Sequence, residues 1–445
     1  MQHSYEHLDR PGGFSRGNLL APLRHRDFRV LWLGMAVSLV GDGIFLVAVA
    51  WESYALWNAP VALSLVGIGM TVPTVAFLLV GGVVSDRYDR RLVMVWADIL
   101  RAVAVALIAV LVFVDALRFW ELVTLVAVYG VGTAFFTPAF EAIVPELVPR
   151  ADLPSANSLD QFIRPIALRL AGPALGGALA AFGIGVAFAV DAASFAASLV
   201  AVLLMRRLPR TRPELDESTV AALKEGLSFV RRRVWIWGTL GSAAIAYLVF
   251  LGPAEVLLPF VVKNDLHASA GTLGLVLAAG GLGAVGAAIF MGQTGHPRRD
   301  VTVMYLTWTL ATFAVAGYGI ASAAWQLMAA CLVFNALEAA GTIVWATIKQ
   351  RNVPASMLGR VSSLDWLISI GLLPISFALT APVADLIGAR ATLVGAAVIG
   401  GAVTLGALFL PGMREIEGTS AGEREAGGRP GVVGGAELQA SSVGH

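Results

Sequence analysis

Residues 148–160 read VPRADLPSANSLD and residues 353–365 read VPASMLGRVSSLD, so Val, Pro, Leu, Ser, Leu and Asp recur in the same register. Each copy joins one long apolar segment to the next. A connector duplicated within a chain of membrane-length apolar segments indicates two homologous bundles, an arrangement found mainly in proteins that move solutes across membranes.

Outward from the connectors, the composition fits that reading. The chain is 57% hydrophobic and 14% charged, against about 45–50% apolar and about 25% charged in soluble domains. A spanning helix needs ~20 mostly apolar residues. Twelve such segments are predicted, at 28–51, 62–84, 92–114, 122–143, 158–181 and 184–204, then 235–261, 272–291, 301–320, 325–347, 361–386 and 391–410. The expected fold is an all-α integral membrane protein with two pseudo-symmetric six-helix bundles, 28–204 and 235–411. An N-terminal tail (1–27), a linker (205–234) and a C-terminal tail (412–445) complete it.

The net charge of +1 decides little, but the placement of the 31 Lys and Arg residues decides orientation. Short loops rich in these residues stay cytoplasmic. With the N-terminus inside, Arg101, Arg164 and Arg169 fall within spans and Arg118, Lys263 and Arg390 lie outside; all the others lie in or beside cytoplasmic segments. Both termini are then cytoplasmic, in a cell membrane. The first apolar segment is too long for a signal-peptide core and is read as the retained first helix. The single cysteine, Cys331, falls within a span and is assigned no role.

In the linker, Val220, Leu223, Leu227 and Val230 recur at helical spacing among Lys224 and Arg231 to Arg233, which predicts an amphipathic helix on the inner membrane surface. The tail from Gly412 is rich in Gly, Ser, Ala and Glu and is predicted to be disordered.

After the second segment come Gly82, Val83, Val84, Ser85, Asp86, Arg87, Tyr88, Asp89, Arg90 and Arg91. This stretch resembles the signature of the major facilitator superfamily, Gly-x-x-x-Asp-Arg-x-x-Arg-Arg between helices two and three. The resemblance implies a cytoplasmic gate that latches the two halves together. In it Gly82 permits close helix approach, and Asp86, Arg87, Arg90 and Arg91 form charge-assisted bonds. Asp365, at the start of the eleventh segment, is a candidate partner from the other half. The equivalent second-half loop, Gly292 to Arg299, keeps a leading Gly and an Arg pair but not the Asp.

The fifth segment carries Arg169, Leu170, Ala171, Gly172, Pro173, Ala174, Leu175, Gly176 and Gly177. It resembles the Gly-Pro-x-x-Gly-Gly core of the superfamily's antiporter motif, with Leu168 in place of the earlier Gly. Pro173 removes a backbone donor, and Gly172, Gly176 and Gly177 allow close packing, so a helix bend is expected here. The fourth segment lacks the Arg that many proton-coupled relatives carry. Residues 28–42 and 136–149 further resemble bacterial macrolide-efflux and enterobactin-exporter permeases.

Charges near mid-membrane are the next signal, because each costs ~2.5–3.5 kcal/mol at a helix centre on insertion scales. Asp42 in the first segment and Arg169 in the fifth are both central, and the resemblance makes those helices neighbours, so an Asp42–Arg169 ion pair that substrate or a proton can open is expected, with a purely structural pair as the alternative; Asp42 is thereby a candidate proton-coupling site. Glu338, flanked one turn away by Asn335 and Thr342, has no evident cation nearby and is the candidate proton or cation-substrate site. Asp98 and Arg101 are spaced to satisfy each other. Glu141 and Glu52 lie near helix ends, the resemblance implies that the sixth helix with Asp191 faces lipid or the bundle exterior, and Glu255 is a further candidate for the transport pathway.

Gly281, Leu282, Gly283, Ala284, Val285 and Gly286 spell a dinucleotide-binding fingerprint, but inside a membrane helix small-residue packing is the expected role. No phosphate loop, metal-ligand cluster or nucleophile–base pairing appears, so neither an enzyme nor an ATP motor is expected, and no cofactor, metal or nucleic acid. The expected function is proton-coupled efflux of a small amphipathic compound, such as a drug or siderophore, by a monomer in the lipid bilayer. The alternatives are an uncoupled facilitator or importer of a small metabolite, a lipid translocase, or a non-transporting membrane sensor.

Overall fold

The computed structural model describes residues 20–149, 152–206, 226–294, 297 and 299–417, and every described element is helical. The first half holds α1 (Arg26–Leu56), α2 (Pro60–Arg87), α3 (Arg90–Phe113), α4 (Phe119–Leu147), α5 and α6 (Ile184–Leu204). Helix α5 is α-helical over Leu153–Arg164, π-helical over Pro165–Ala171 and α-helical again over Gly172–Leu179. The second half holds α7 (Val234–Phe260, ending in a π-turn at Val261–Asp265), α8 (Ala270–Thr294) and α9 (Asp300–Ala314, continued by Ala316–Ile320). It closes with α10 (Ala324–Asn352), α11 (Ala355–Gly371 and Leu373–Ile387) and α12 (Ala389–Ala407).

Eleven of these helices are long and apolar enough to cross a bilayer unbroken, and α11 makes the twelfth in two pieces. The break at Leu372 follows from Pro374, which cannot donate to the carbonyl four residues back and crowds it.

The two halves repeat one packing plan. Helix α1 packs on α5 and α6 as α7 packs on α11 and α12, and α2 on α4 as α8 on α10. Helix α3 packs on α4 and α6 as α9 packs on α10 and α12. Between halves, α5 meets α8 as α11 meets α2. The two duplicated connectors open α5 and α11. In the same register, Gly183 (φ 115°) and Gly388 (φ 88°) turn the chain into α6 and α12. Both sit in the positive-φ region, which a side chain would strain.

One face of the molecule, here the terminus side, carries the start of α1 and the end of α12. On the opposite, far side the halves are joined. The Tyr54 hydroxyl donates to the Val256 carbonyl (2.6 Å), and Asn58 Nδ2 donates to Asn264 Oδ1 (2.7 Å). Lys263 lies over the Trp51 ring. Val47 and Ala50 of α1 share one buried apolar cluster with Ala246, Phe250, Val256, Leu257 and Phe377 of the second half. The clusters toward the terminus side each draw on one half, one around Phe28, Leu31 and Ile143 and the other around Trp235, Tyr305 and Ile348.

Three expectations are corrected here. The tail does not become irregular at Gly412: Met413 is fully buried against Thr239 and Tyr305, and Glu417 accepts a bond from the Thr302 amide (2.5 Å) at the start of α9. Residues 418–445 lie outside the described residues. Of the amphipathic stretch, Val220, Leu223 and Lys224 also lie outside them; of its two described apolar positions, Val230 packs into the second bundle and Leu227 is exposed, so they do not share one surface-lying face.

The third concerns Gly82, expected to let α2 approach a neighbour. A Cβ there would meet nothing within 4 Å, whereas one on Gly81 would lie 2.3 Å from the Ala134 carbonyl oxygen of α4. Gly81→Ala is therefore expected to cost about 1–3 kcal/mol through overpacking, and Gly82→Ala close to nothing. Thermal melting of the purified protein in detergent checks this, and equal melting of the two variants would contradict it.

Candidate functional site

Between the halves lies a cavity of about 450 Å³. Its walls are mostly apolar: Leu46, Val49 and Met70 from the first half, and Phe250, Phe334 and Phe377 from the second. Arg169, Glu255, Asn335 and Glu338 supply charged and polar groups to the same lining.

Arg169 reaches the cavity because of the motif that follows it. Pro173 has no N–H for the Arg169 carbonyl four residues back, and the helix accommodates this with the π-helical stretch Pro165–Ala171, in which the Gly172 amide reaches back to Ala167. The Arg169 carbonyl lies against α8, where a Cβ on Gly281 would come within 2.4 Å of it. The Gly281–Gly286 fingerprint thus serves helix packing: a Cβ on Gly283 would sit 2.2 Å from the Leu332 carbonyl oxygen. Gly172 packs against Gly43 of α1, and Gly177 against Gly271 and Gly274 of α8.

The Asp42–Arg169 pair expected from the sequence does not form. Arg169 Nη1 donates to Asn335 Oδ1 (2.9 Å) and pairs with Glu338 Oε2 (3.4 Å), both on α10 of the opposite half. Glu338 therefore has the cation that the sequence did not reveal, and its other oxygen accepts from Thr342 Oγ1 (3.0 Å). The pair is partly hydrated, with side-chain exposures of 49% for Arg169 and 24% for Glu338. Asn335 is held by Cys331, donating to its carbonyl (2.9 Å) and reaching its Sγ at 3.5 Å. Cys331, assigned no role from sequence, thus lines the cavity and orients Asn335.

Glu255 lines the cavity with its side chain exposed, and among the described residues no hydrogen bond or ion pair engages it. Tyr247, which the sequence did not single out, lines this cavity and a smaller recess with Trp308, Thr312 and Glu338.

Asp42 lies elsewhere, accepting from the Tyr129 hydroxyl (2.7 Å) within the first bundle. Asp98 and Arg101 pair as their spacing predicted. Asp191 is fully buried in that bundle rather than on its exterior.

In the loop between α2 and α3, Asp89 caps α3 by accepting from the Arg91 amide (3.0 Å). Arg90 bonds the Ala142 carbonyl (2.8 Å) and Glu146 (2.5 Å) of α4, and Arg91 bonds the Val202 (2.7 Å) and Leu203 carbonyls at the end of α6. These described bonds tie the loop to its own half, while Arg87 is exposed. Asp365 accepts from Trp345 Nε1 (2.9 Å) and from Lys349, also of its own half. The side chain of Asp86 lies outside the described residues.

The structure thus has two repeated bundles with a cavity between them. The sequence profile of the transmembrane secretion effector family matches residues 17–423. The chain belongs to that family of major facilitator superfamily transporters. It is 23% identical over 366 residues to macrolide efflux protein A of Streptococcus pyogenes, covering 81% of this chain and 90% of the relative. It is 29% identical over 361 residues to the enterobactin exporter EntS of Salmonella typhimurium, covering 78% and 83%. Among solved structures, the nucleoside transporter NupG matches with a TM-score of 0.66 at 11% identity, covering 86% of this chain and 100% of that one. The major facilitator family member described here is a multi-pass membrane transporter and not an enzyme.

Proposed function

We propose that this transporter exports a small amphipathic compound from the cytoplasm in exchange for protons, by alternating access. The observation that carries the reading is the Arg169–Glu338 pair, which joins the two halves inside a cavity sealed on the far side. With both termini cytoplasmic, as the distribution of positive residues favours, this is the state that receives cargo from the cytoplasm.

The apolar and aromatic wall suits an amphipathic body. Glu255, with Glu338 against a single Arg169, leaves the lining with an excess of negative charge and favours a compound carrying a basic nitrogen over an acidic one. A proton on Glu338 releases Arg169, weakens the bridge and lets the halves part on the far side; cargo leaves and the cycle returns when the proton is shed inward. The loop around Asp86, with Asp365 facing it from α11, then closes the cytoplasmic side.

In inverted vesicles, Glu338→Gln is expected to keep cargo binding but to lose accumulation driven by a pH gradient by about tenfold or more, since the variant carries no exchangeable proton there. Accumulation at the parent rate would remove Glu338 from the mechanism. The absence of an Arg in α4 favours a second reading, an uncoupled facilitator. Counterflow with no response to pH in the parent protein would establish that one instead.

A further inference from the structure

The charged groups of the first bundle are out of balance. Asp42 on α1, Asp98 on α3 and Asp191 on α6 share one guanidinium, that of Arg101 on α3. Asp98 binds Arg101 and accepts from Ser198 Oγ (2.8 Å). Asp42 accepts from Tyr129, whose ring stacks on Phe45 at 4.7 Å. Asp191 Oδ1 accepts a long bond from Ser194 (3.3 Å).

The enclosure is tight. Asp98 and Asp191 are 0% exposed and Arg101 4%. The Arg101 guanidinium is sandwiched between the rings of Phe136 (4.3 Å) and Phe195 (4.6 Å). The bundle makes room for Asp191 by omitting a side chain at Gly41, where a Cβ would fall 2.5 Å from the Asp191 Oδ1.

Among the described residues, two buried polar atoms in this cluster have no hydrogen-bond partner, Asp191 Oδ2 and Arg101 Nε. An orphaned, fully buried carboxylate oxygen with the Asp42 carboxylate as its acidic neighbour is strongly unfavourable as an anion and ordinary as a protonated acid.

The surrounding charges do not mend the imbalance. Arg164 of α5 acts on Asp42 from the edge of the cluster, but it is bound to Asp160 (2.7 Å), and Glu141 of α4 is exposed. Tyr129 is the neutral partner from α4. Three carboxyl groups against one committed cation leave two negative charges for protons to cancel.

We propose that Asp42, Asp98 and Asp191, arranged around Arg101, form a buried site that holds two exchangeable protons, loaded and emptied through Asp42. Asp42 is the member with solvent contact. It also stands one helical turn from Leu46 on the face of α1 that lines the cavity with Val49 and Ala50. Protons enter as carboxylate becomes carboxylic acid at Asp42 and pass to Asp191. The three share them, so they titrate as a group and not as three independent acids. The site is distinct from the Arg169–Glu338 bridge and lies within one half, so rocking of the halves does not break it. Its protonation instead alters how α1 sits on α3 and α6.

The test is infrared titration of the purified full-length protein, reading the protonated-carboxyl band and its shift in heavy water. A band assignable to these residues is expected near neutral pH in the parent protein. Asp191→Asn should lower it by about half, and Asp42→Asn should slow its exchange with solvent about tenfold or more. Asn is nearly isosteric with Asp, and the parent spectrum alone already tests the proton content should a variant fold poorly. A parent protein with no protonated-carboxyl band above about pH 6, or Asn variants with unchanged bands, would overturn the proposal. So would a band that appears only when sodium is withheld, because a metal cation would then be the balancing charge. Bound protons are counted on the resting protein, so this outcome is separate from whether transport is proton-driven.

Discussion

Arg169→Ala is expected to slow export by about tenfold or more, an effect as large as that of Glu338→Gln in the same cavity. The expectation follows from what the guanidinium holds. Its bonds to Asn335 and Glu338 span the two halves, and charge-assisted bonds of this kind contribute about 1.5–3 kcal/mol when protected from water. The pair here is half-hydrated, which places the effect at the lower end of that range. Removal also leaves Glu338 and Glu255 in one apolar-walled cavity without a cation. Arg169→Lys keeps the charge but loses the planar fork, so it should restore export only in part. Rates measured in inverted vesicles at matched protein levels decide the matter. If Arg169→Ala runs within twofold of the parent, the bridge plays no part in the cycle.

The second large effect is expected at the α5–α8 crossing. A Cβ on Gly274 would stand 2.5 Å from the Pro173 carbonyl oxygen, and one on Gly177 3.0 Å from the Gly274 Cα. Backbone cannot yield as a side-chain tip does, so Gly274→Val must push the two helices apart at the far-side seal. Overpacking of this kind costs about 1–3 kcal/mol. In the proposed cycle this crossing parts as the far side opens, so the clash is expected to shift the population toward far-side opening by roughly tenfold to a hundredfold. The check is labelling by a charged thiol reagent from the far side, using Leu258→Cys in a Cys331→Ala background. Faster labelling with Gly274→Val is expected. Unchanged labelling in a variant that melts normally would show that this crossing is no seal.

Much of the fold was legible because membrane length and apolar composition are written locally. The repeated connectors revealed the duplication, whereas the interruption of α11 ahead of Pro374 went unread within one continuous apolar segment. What remained hidden has physical reasons. Each residue turns an α-helix by about 100°, so the π-helical stretch before Pro173 re-aims Arg169, away from Asp42 and toward α10. The cation of Glu338 comes from the other half, and nothing near residue 338 announces it. Asp191 was placed on the exterior because the resemblance puts the sixth helix there, and hydropathy could not correct it, since burial against protein and burial in lipid read alike where the tails are as apolar as leucine. The Asp98–Arg101 pair was readable from its spacing, but its company was not. Gly81 and Gly82 are adjacent in sequence and a third of a turn apart in space. The family signature drew attention to the wrong one.

The buried Met413 has a practical consequence. Its thioether fills the space over Thr239 and Tyr305, and Glu417 accepts from the amide and the hydroxyl of Thr302 at the start of α9. A fluorescent reporter or affinity handle fused at residue 411 would pull this plug from the second bundle and leave its base open to water. Attached after Glu417, the same handle would leave the plug seated.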